Sequence, residues 1–434
     1  MNHPNPRIQA LLDRLASPRL ATIDLSLDRV WALLAALGNP QDRLPPAVHV
    51  AGTNGKGSLL AYLAAITQAA GYKAHRYISP HLVRFNERIL LAGEEISDER
   101  LLGLLERIVV HMDSHPVTFF EATTAAAFLA FSETPADILL LETGLGGRLD
   151  ATNVIRSPLL TAITPVSMDH MDYLGDTLAA IAAEKAGIIK RDTPCVTGSQ
   201  SPEALQVIER AACAAHAPLY RFGSEWEMEA GATGFQYRSK STDIHFPLPG
   251  LSGKHQLFNA GTAVACVEHL KGFIISSEHI AQGITQTKWP ARLQRLFSGS
   301  LLSLLPLEAE LWLDGGHNPS AGTALAEWVR AQKKPVHLIC GMLKTKDTEK
   351  FLEPLAPHIR SLTAIAIEGE PLSQIPETII VSARHAGIEN AEIAASNNIK
   401  SIIEHIGKNE KLGHIILICG SLYLAGNILW QNSL

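Results

Sequence analysis

The sequence predicts an α/β protein of two domains, each a mainly parallel sheet covered by helices. Three observations carry that reading. A strand, a glycine-rich loop and a helix follow one another at residues 47–70; further short apolar runs end in polar residues; and the same alternation restarts after about residue 285. The length of 434 residues agrees, because a single core stops growing at roughly 250 to 300 residues.

Taken in order, Ala47-Val48-His49-Val50 is a short apolar run leading into the loop. Residues 59–70 continue as an alanine-rich helical pattern closed by Gly71, the usual C-terminal stop. Residues 137–141 read as a buried strand ending in Glu142, and residues 159–164 as another ending at Pro165. In the second half, strands are expected at 310–313, 336–339, 362–367 and 414–418, alternating with helical stretches such as 321–332. Between the two series lies Lys288-Trp289-Pro290-Ala291-Arg292, whose proline makes it the best linker candidate. The division that follows is residues 1–287, a linker at 288–297, and a smaller domain at 298–434.

Hydrophobic residues make up 46% and charged residues 18%, the balance of a globular chain that buries a sizeable core. A net charge of −6 provides no global basic field for nucleic acid, so any phosphate must be held locally. The five cysteines (Cys195, Cys213, Cys266, Cys340, Cys419) are scattered, with no C-x-x-C pair; neither a disulfide framework nor a zinc knuckle is suggested, and a reducing compartment is expected. Residues 1–20 lack a continuous apolar segment, and no run of about 18 uncharged apolar residues occurs. The expectation is a cytoplasmic protein with no membrane span.

Chemistry concentrates in a few segments. Gly52-Thr53-Asn54-Gly55-Lys56-Gly57-Ser58 has the parts of a phosphate-cradling loop: glycines that let backbone N–H groups converge, a helix N-terminus, a lysine, and a hydroxyl for magnesium. The match to G-x-x-x-x-G-K-[ST] is approximate, since Gly57 separates Lys56 from Ser58 and Gly52 comes late; the alternative is a plain glycine-rich turn. Glu142, at the end of a buried strand beside this loop, stands where a magnesium ligand belongs; its alternative is a strand-end acid facing water. Gly144-Leu145-Gly146-Gly147 lacks the last glycine of a dinucleotide fingerprint, Leu149 standing there, which argues against NAD. His170, in Met168-Asp169-His170-Met171-Asp172, is by itself more often a satisfied structural histidine, and Lys185, in a small-residue helical stretch, reads by itself as a solvated lysine. Asp314-Gly315-Gly316-His317-Asn318-Pro319 is rich in turn formers, of which turn chemistry does not require His317.

Together, Thr22-Ile-Asp-Leu-Ser-Leu-Asp-Arg29, Ala51-Gly-Thr-Asn-Gly-Lys-Gly-Ser58, Ser79-Pro-His-Leu-Val-Arg-Phe-Asn-Glu-Arg88, Glu142-Thr-Gly-Leu-Gly-Gly-Arg-Leu-Asp-Ala-Thr-Asn153, Glu184-Lys-Ala-Gly-Ile188, Asp314-Gly-Gly-His-Asn-Pro319 and Gly420-Ser-Leu-Tyr-Leu-Ala-Gly426 closely resemble the folylpolyglutamate synthase/dihydrofolate synthase family of Mur-type ligases. The resemblance implies an N-terminal P-loop ATPase domain of Mur-ligase type, a smaller C-terminal Rossmann-like α/β domain, and a reaction in the cleft between them. It also implies ATP, two Mg2+ ions and L-glutamate: a substrate carboxylate takes the γ-phosphate of ATP, and the acyl phosphate is then converted to an amide by the amine of glutamate.

Carried over by position, residues 52–58 hold the triphosphate, with Lys56 catalytic. Asn259, Arg292 and Asp314 match ATP contacts, and Ser58, Ser79, Glu142, His170 and Lys185 match the metal sites. Lys185 matches a lysine that is carbamylated in the family, and His170 and His317 are further catalytic candidates. Thr22, Ile23, Asp24, Leu25, Thr118, Phe119, Phe120, Glu121, Leu149, Asp150 and Ala151 match dihydropteroate-contacting segments, with Arg88 and Ser421 added as substrate contacts. The family implies a monomer, without nucleic acid or membrane; action on both dihydropteroate and folates is expected, because all three dihydropteroate segments are present, and a monofunctional folylpolyglutamate synthase is the alternative. Two other readings compete. A Mur-type ligase for a cell-wall precursor is disfavoured by the Ser79–Arg88 segment, and a nucleotide-gated binding protein would leave His170, Lys185 and Asp314 incidental.

Overall fold

The computed structural model describes residues 3–16, 26–394, 398–410 and 413–433. The chain divides into two compact units: one holds the residues up to Gly250 together with Leu257–Thr287, the other Leu251–Gln256 and Lys288–Leu434.

The larger unit is built on strands β1 (Ala47–Ala51), β2 (Ala74–Tyr77), β3 (Ile89–Leu91), β4 (Glu94–Glu95), β5 (Ile138–Glu142), β6 (Leu160–Ile163), β7 (Cys195–Thr197) and β8 (Leu219–Arg221). They form one sheet in the order β4-β3-β2-β5-β1-β6-β7-β8. From β2 to β8 the neighbours pair in parallel, and β3 and β4 add an antiparallel edge. Every residue of β1, β5 and β6 is buried, as a parallel strand covered by helices on both faces requires. Leu33, Phe85, Leu105, Phe128, Phe131 and Leu139 share one core, and Ile163, Ile181 and Ile208 belong to another. From β1 the chain crosses to β2, beyond β5, and later returns to β6 on the other side. Such a reversal opens a crevice at the carboxyl ends of the strands.

A separate antiparallel meander, β9 (Trp226–Ala230), β10 (Gly234–Ser239) and β11 (Asp243–Pro247), completes the described strands of this unit. The apolar runs did not anticipate it, because its strands alternate buried and solvated residues, as in Trp226-Glu-Met-Glu-Ala230.

Among the described residues the smaller unit has six strands, β12 (Gln294–Leu296), β13 (Glu310–Leu313), β14 (Val336–Cys340), β15 (Ser361–Ala364), β16 (Ala391–Ile393) and β17 (Ile415–Cys419). Their order is β12-β13-β17-β14-β15-β16, parallel except for β12 against β13. Leu338, Phe351, Leu362, Ile379 and Leu417 lie at the centre of its core. The segment read as a linker at 288–297 therefore contributes a strand, because Leu293 and Leu296 are buried although Pro290 marks a turn. The boundary also differs upstream, where Leu251–Gln256 belongs to this unit.

Candidate active site

At the carboxyl end of β1 the chain makes a tight loop and begins the helix Lys56–Ala69. Two glycines shape it. Gly52 has φ +148°, and a Cβ there would fall 1.8 Å from Thr164 Oγ1; Gly55 has φ +89°, and its Cβ would fall 2.6 Å from Asn259 Oδ1. Only glycine allows so close an approach in these conformations. Thr53 ties the loop down: its N–H donates to Pro165 O at 3.0 Å, its hydroxyl donates to Ser167 O at 3.0 Å, and it accepts from Ser167 N–H at 3.1 Å.

Two lysines converge here. Lys56 Nζ donates to Gly52 O at 3.1 Å and to Thr53 O at 3.3 Å, and lies 3.9 Å from Glu142 Oε1. Lys185, on the helix Leu178–Ala186, donates to the same Gly52 carbonyl at 3.0 Å. Lys185 is 5% exposed, so the alternative of a solvated helix lysine does not describe it. Burial, and then the Lys56 charge, push its ammonium down to about 7, against the pull of Asp169 and Asp150.

Glu142 closes β5, is 6% exposed, and accepts from Ser79 N–H at 3.3 Å; it does not face water. Ser58 is buried on the first turn of the loop's helix. His170 sits in the left-handed region (φ 51°) at the start of the short helix Met171–Leu174. Its N–H donates to Asp169 Oδ1 at 2.9 Å and its half-exposed ring lies 3.9 Å from that oxygen. Among the described residues no three His, Cys, Asp or Glu side chains cluster as a metal cage. One buried carboxylate with a hydroxyl fits a hard cation that keeps water and phosphate oxygens as its other ligands, as magnesium does.

A second group of residues lies at the start of the helix Phe119–Ser132. Thr118 caps it, and Glu121 returns the bond to the Thr118 N–H at 2.7 Å in a capping box. Glu121 is also held by Arg29, whose Nη2 lies 3.1 Å from Oε1. The Phe119 ring meets Phe85 edge-on at 6.2 Å, and the Arg88 guanidinium lies 5.2 Å and 5.7 Å from the two ring centres. Phe120 packs on the backbone of Gly144, where a Cβ would fall 2.4 Å from its ring. Leu149 is partly exposed, and the adjoining Asp150 and Ala151 are buried. Asp150 folds its own loop, accepting from Leu145 N–H at 2.8 Å and Thr152 N–H at 3.0 Å; burial pushes its carboxyl up, opposed by those donors. Thr22, Ile23, Asp24 and Leu25 lie outside the described residues. Thr118→Ala should lower unfolding stability by about 1 kcal/mol, the usual worth of an N-cap, measurable as an earlier urea midpoint with unchanged slope.

The smaller unit gathers a third group after β13. Asp314 is buried and accepts from Leu293 N–H at 2.7 Å and Gly316 N–H at 2.6 Å. Arg292 is flanked by Ala291 (φ 55°) and Leu293 (φ 45°), two non-glycine residues in the left-handed region, which costs each on the order of 1 kcal/mol. Its Nη1 donates to Ala291 O at 3.3 Å. His317 Nδ1 is 2.9 Å from Gly315 O; a carbonyl only accepts, so the ring carries its proton on Nδ1. Gly420 N–H donates to Gly316 O at 3.0 Å, bringing the end of β17 beside this turn, and the buried Ser421 accepts from Tyr423 N–H at 3.1 Å.

The sequence reading missed Asp169, which faces both His170 and the charge of Lys185, because an acid in a polar loop carries no signal of its own.

Comparison with known proteins agrees with this layout. The family model described as Mur ligase middle domain matches residues 50–267, and that described as dihydrofolate synthetase, C-terminal domain matches residues 303–431. The chain is 34% identical over 419 residues to the dihydrofolate synthase/folylpolyglutamate synthase of Bacillus subtilis, across 93% of this chain and 94% of that protein. Among solved structures it resembles Escherichia coli FolC in complex with DHPP and ADP, at 30% identity and TM-score 0.87 over 98% of this chain and 97% of that one. A bifunctional folylpolyglutamate synthase/dihydrofolate synthase with Mn, AMPPNP and L-glutamate bound is similar at 29% identity and TM-score 0.84, covering 98% and 97% of the two chains. A likeness this extended, in sequence and in fold, assigns the chain to the dihydrofolate synthase/folylpolyglutamate synthase family of Mur-type ligases.

Proposed function

We propose that this chain is an ATP-dependent acid–amino-acid ligase that joins L-glutamate to dihydropteroate, making dihydrofolate, and to folate polyglutamates. The observation that carries this reading is the convergence of Lys56 and Lys185 on one loop carbonyl, 3.1 Å and 3.0 Å from Gly52 O, with Glu142 beside them. The substrate carboxylate attacks the γ-phosphorus of ATP; the bond to the β,γ-bridging oxygen breaks and ADP leaves. The amine of glutamate then attacks the acyl carbon, phosphate departs, and the amine's proton passes to solvent. No nucleophile from the protein is required, so catalysis rests on positioning and charge.

In this reading residues 52–58 and Asn259 hold the triphosphate, and Arg292 and Asp314 contact nucleotide. Ser58, Ser79, Glu142, His170 and a carbamylated Lys185 hold two magnesium ions, which when bound offset the charge spreading over the phosphoryl group. His317, its ring oriented by the Nδ1 bond to Gly315 O, is a further catalytic group. Phe120, Leu149, Asp150, Ala151 and Arg88 contact the pterin-bearing substrate; Thr118, Phe119 and Glu121 shape the helix start that carries Phe120, and Ser421 is a further substrate contact. No described helix is long and apolar enough to cross a membrane, and a cytoplasmic monomer fits the reading.

The experiment is glutamate-dependent ADP release, with dihydropteroate and then with a folate monoglutamate as acceptor. Release with both supports the full reading; release with only folate leaves a folylpolyglutamate synthase. Glu142→Gln should need at least about tenfold more magnesium for half-maximal rate, since altering even a group that only supports a metal ligand costs about that much in affinity. An unchanged magnesium titration would make Glu142 a structural acid.

A further inference from the structure

We infer that His49, in the middle of β1, is a positioning residue for the loop that presents Asp150: its ring N–H sets the direction of the hydrogen-bond chain His49 to Thr152 to Asp150, and thereby the affinity for the pterin-bearing substrate. This rests on the reading that residues 149–151 contact that substrate.

The direction follows from counting protons. His49 Nε2 is 2.8 Å from Thr152 Oγ1, and Thr152 Oγ1 is 2.5 Å from Asp150 Oδ1. The threonine hydroxyl has a single proton, and a carboxylate only accepts. With backbone N–H groups already directed at both Asp150 oxygens, from Thr152 to Oδ1 and from Leu145 to Oδ2, the carboxyl is held as an acceptor. The Thr152 proton therefore points to Asp150, and Thr152 Oγ1 must accept from His49 Nε2–H. The tautomer is thereby fixed, leaving Nδ1 bare. Nδ1 is buried and has no hydrogen-bond partner among the described residues, the arrangement expected of an imidazole whose one donor is committed elsewhere.

The chain is buried: His49 and Thr152 are 0% exposed, and Asp150, at its substrate-facing end, is 3% exposed. In so dry a site an unmet donor or acceptor is costly, and the chain works as a unit rather than as separate contacts. Burial, and then Lys190, push the His49 ring down to about 3, so it stays a neutral single donor at any pH at which the protein works. The far end of the same loop is pinned independently, since Asn153 Nδ2 donates to Arg148 O at 2.9 Å and Gly187 O at 3.1 Å. Loss of the His49 donor should thus let the 145–152 stretch shift without unfastening the loop from the Lys185 helix.

The test measures KM for acceptor and for ATP separately. His49→Leu should raise KM for dihydropteroate about tenfold and leave KM for ATP within about twofold, since a lost hydrogen bond to a buried charged network is worth that much. His49→Gln, whose amide offers an N–H at similar reach, should recover most of the loss. Thr152→Val should match His49→Leu, and the double variant should be no worse than Thr152→Val alone, because both remove one chain. Should His49→Leu not fold, Thr152→Ser, which keeps the hydroxyl, against Thr152→Val makes the same comparison. In the wild-type protein, nitrogen-15 NMR should show His49 as the Nε2–H tautomer, unchanged between about pH 5 and 8. An unaltered acceptor KM in His49→Leu, additive single effects, or an Nδ1–H ring would overturn the inference. Failure of the functional reading is seen instead in the wild-type protein, as an absence of ADP release with any pterin acceptor.

Discussion

Lys56→Ala should yield a folded protein whose glutamate-dependent turnover falls by on the order of 10²–10³-fold or more, the scale of losing a preorganised charge at the transition state. Lys56 is the first residue of its helix and lies 3.9 Å from Glu142 Oε1, where the β- and γ-phosphates are proposed to lie. Its removal should not weaken the fold. A cation at a helix N-terminus opposes the macrodipole, and the Lys56 charge adds to the burial that pushes Lys185 down. Thermal unfolding should therefore stay level or move upward as activity disappears. Near-normal turnover in the folded variant would sink the phosphate-loop assignment, and a collapsed midpoint would show Lys56 to be structural.

Lys185→Ala should be as severe, with turnover lower by on the order of 10²–10³-fold, because a carbamate there is proposed as a bridging metal ligand. A neutral amine attacks carbon dioxide, an N–C bond forms, and a proton leaves to solvent, so the reaction needs the unprotonated form. An ordinary lysine at about 10.4 offers little of it at neutral pH; Lys185, pushed down to about 7, offers a large fraction. The shift carries a sign for stability. Between about 7 and the ordinary lysine value the unfolded chain binds a proton that the folded chain does not, so folding strengthens as pH rises through that window. In magnesium-free, carbon-dioxide-depleted buffer, the wild-type midpoint should rise from pH 7 to 10 more steeply than that of Lys185→Met. The sharper measurement is an electron-density map of the metal-loaded enzyme, with three extra atoms beyond Nζ of Lys185. A bare amine in that map, with full activity in Lys185→Ala, would end the carbamate reading. Short-chain carboxylates should partly restore the variant by occupying the carbamate's place.

What the sequence made legible follows from physical signals of different range. Continuous apolar runs such as Ile138-Leu-Leu-Leu141 declare strands buried on both faces, so the two parallel sheets were readable. The meander β9–β11 was not, since its glutamates alternate with apolar residues and its strands are half solvated. Gly52 and Gly55 could be named in advance because close approach excludes every other residue. The burial of Lys185 could not, because it depends on helices and loops far apart in the chain closing over it. His49 gave no hint: a histidine in an apolar strand reads as a satisfied core residue until its partner Thr152, 103 positions away, is known. Thr118 and Glu121 show the reverse case, where a motif assigned to substrate proves to contain a helix cap that the S/T-x-x-E spacing already encodes.

Ala291 and Leu293 carry a consequence for anyone engineering this protein. A search for thermostability would reach them early, since glycine at a left-handed position relieves the backbone and such sites are among the cheapest gains in a natural chain. Both residues, however, bracket Arg292, and the relief would loosen the backbone that carries it and the Ala291 carbonyl that its Nη1 meets. A screen scored on heat resistance alone would collect these changes as improvements and return a hardier protein with a slackened Arg292, the residue proposed to meet nucleotide; one scored on turnover at saturating and at scarce ATP would discard them.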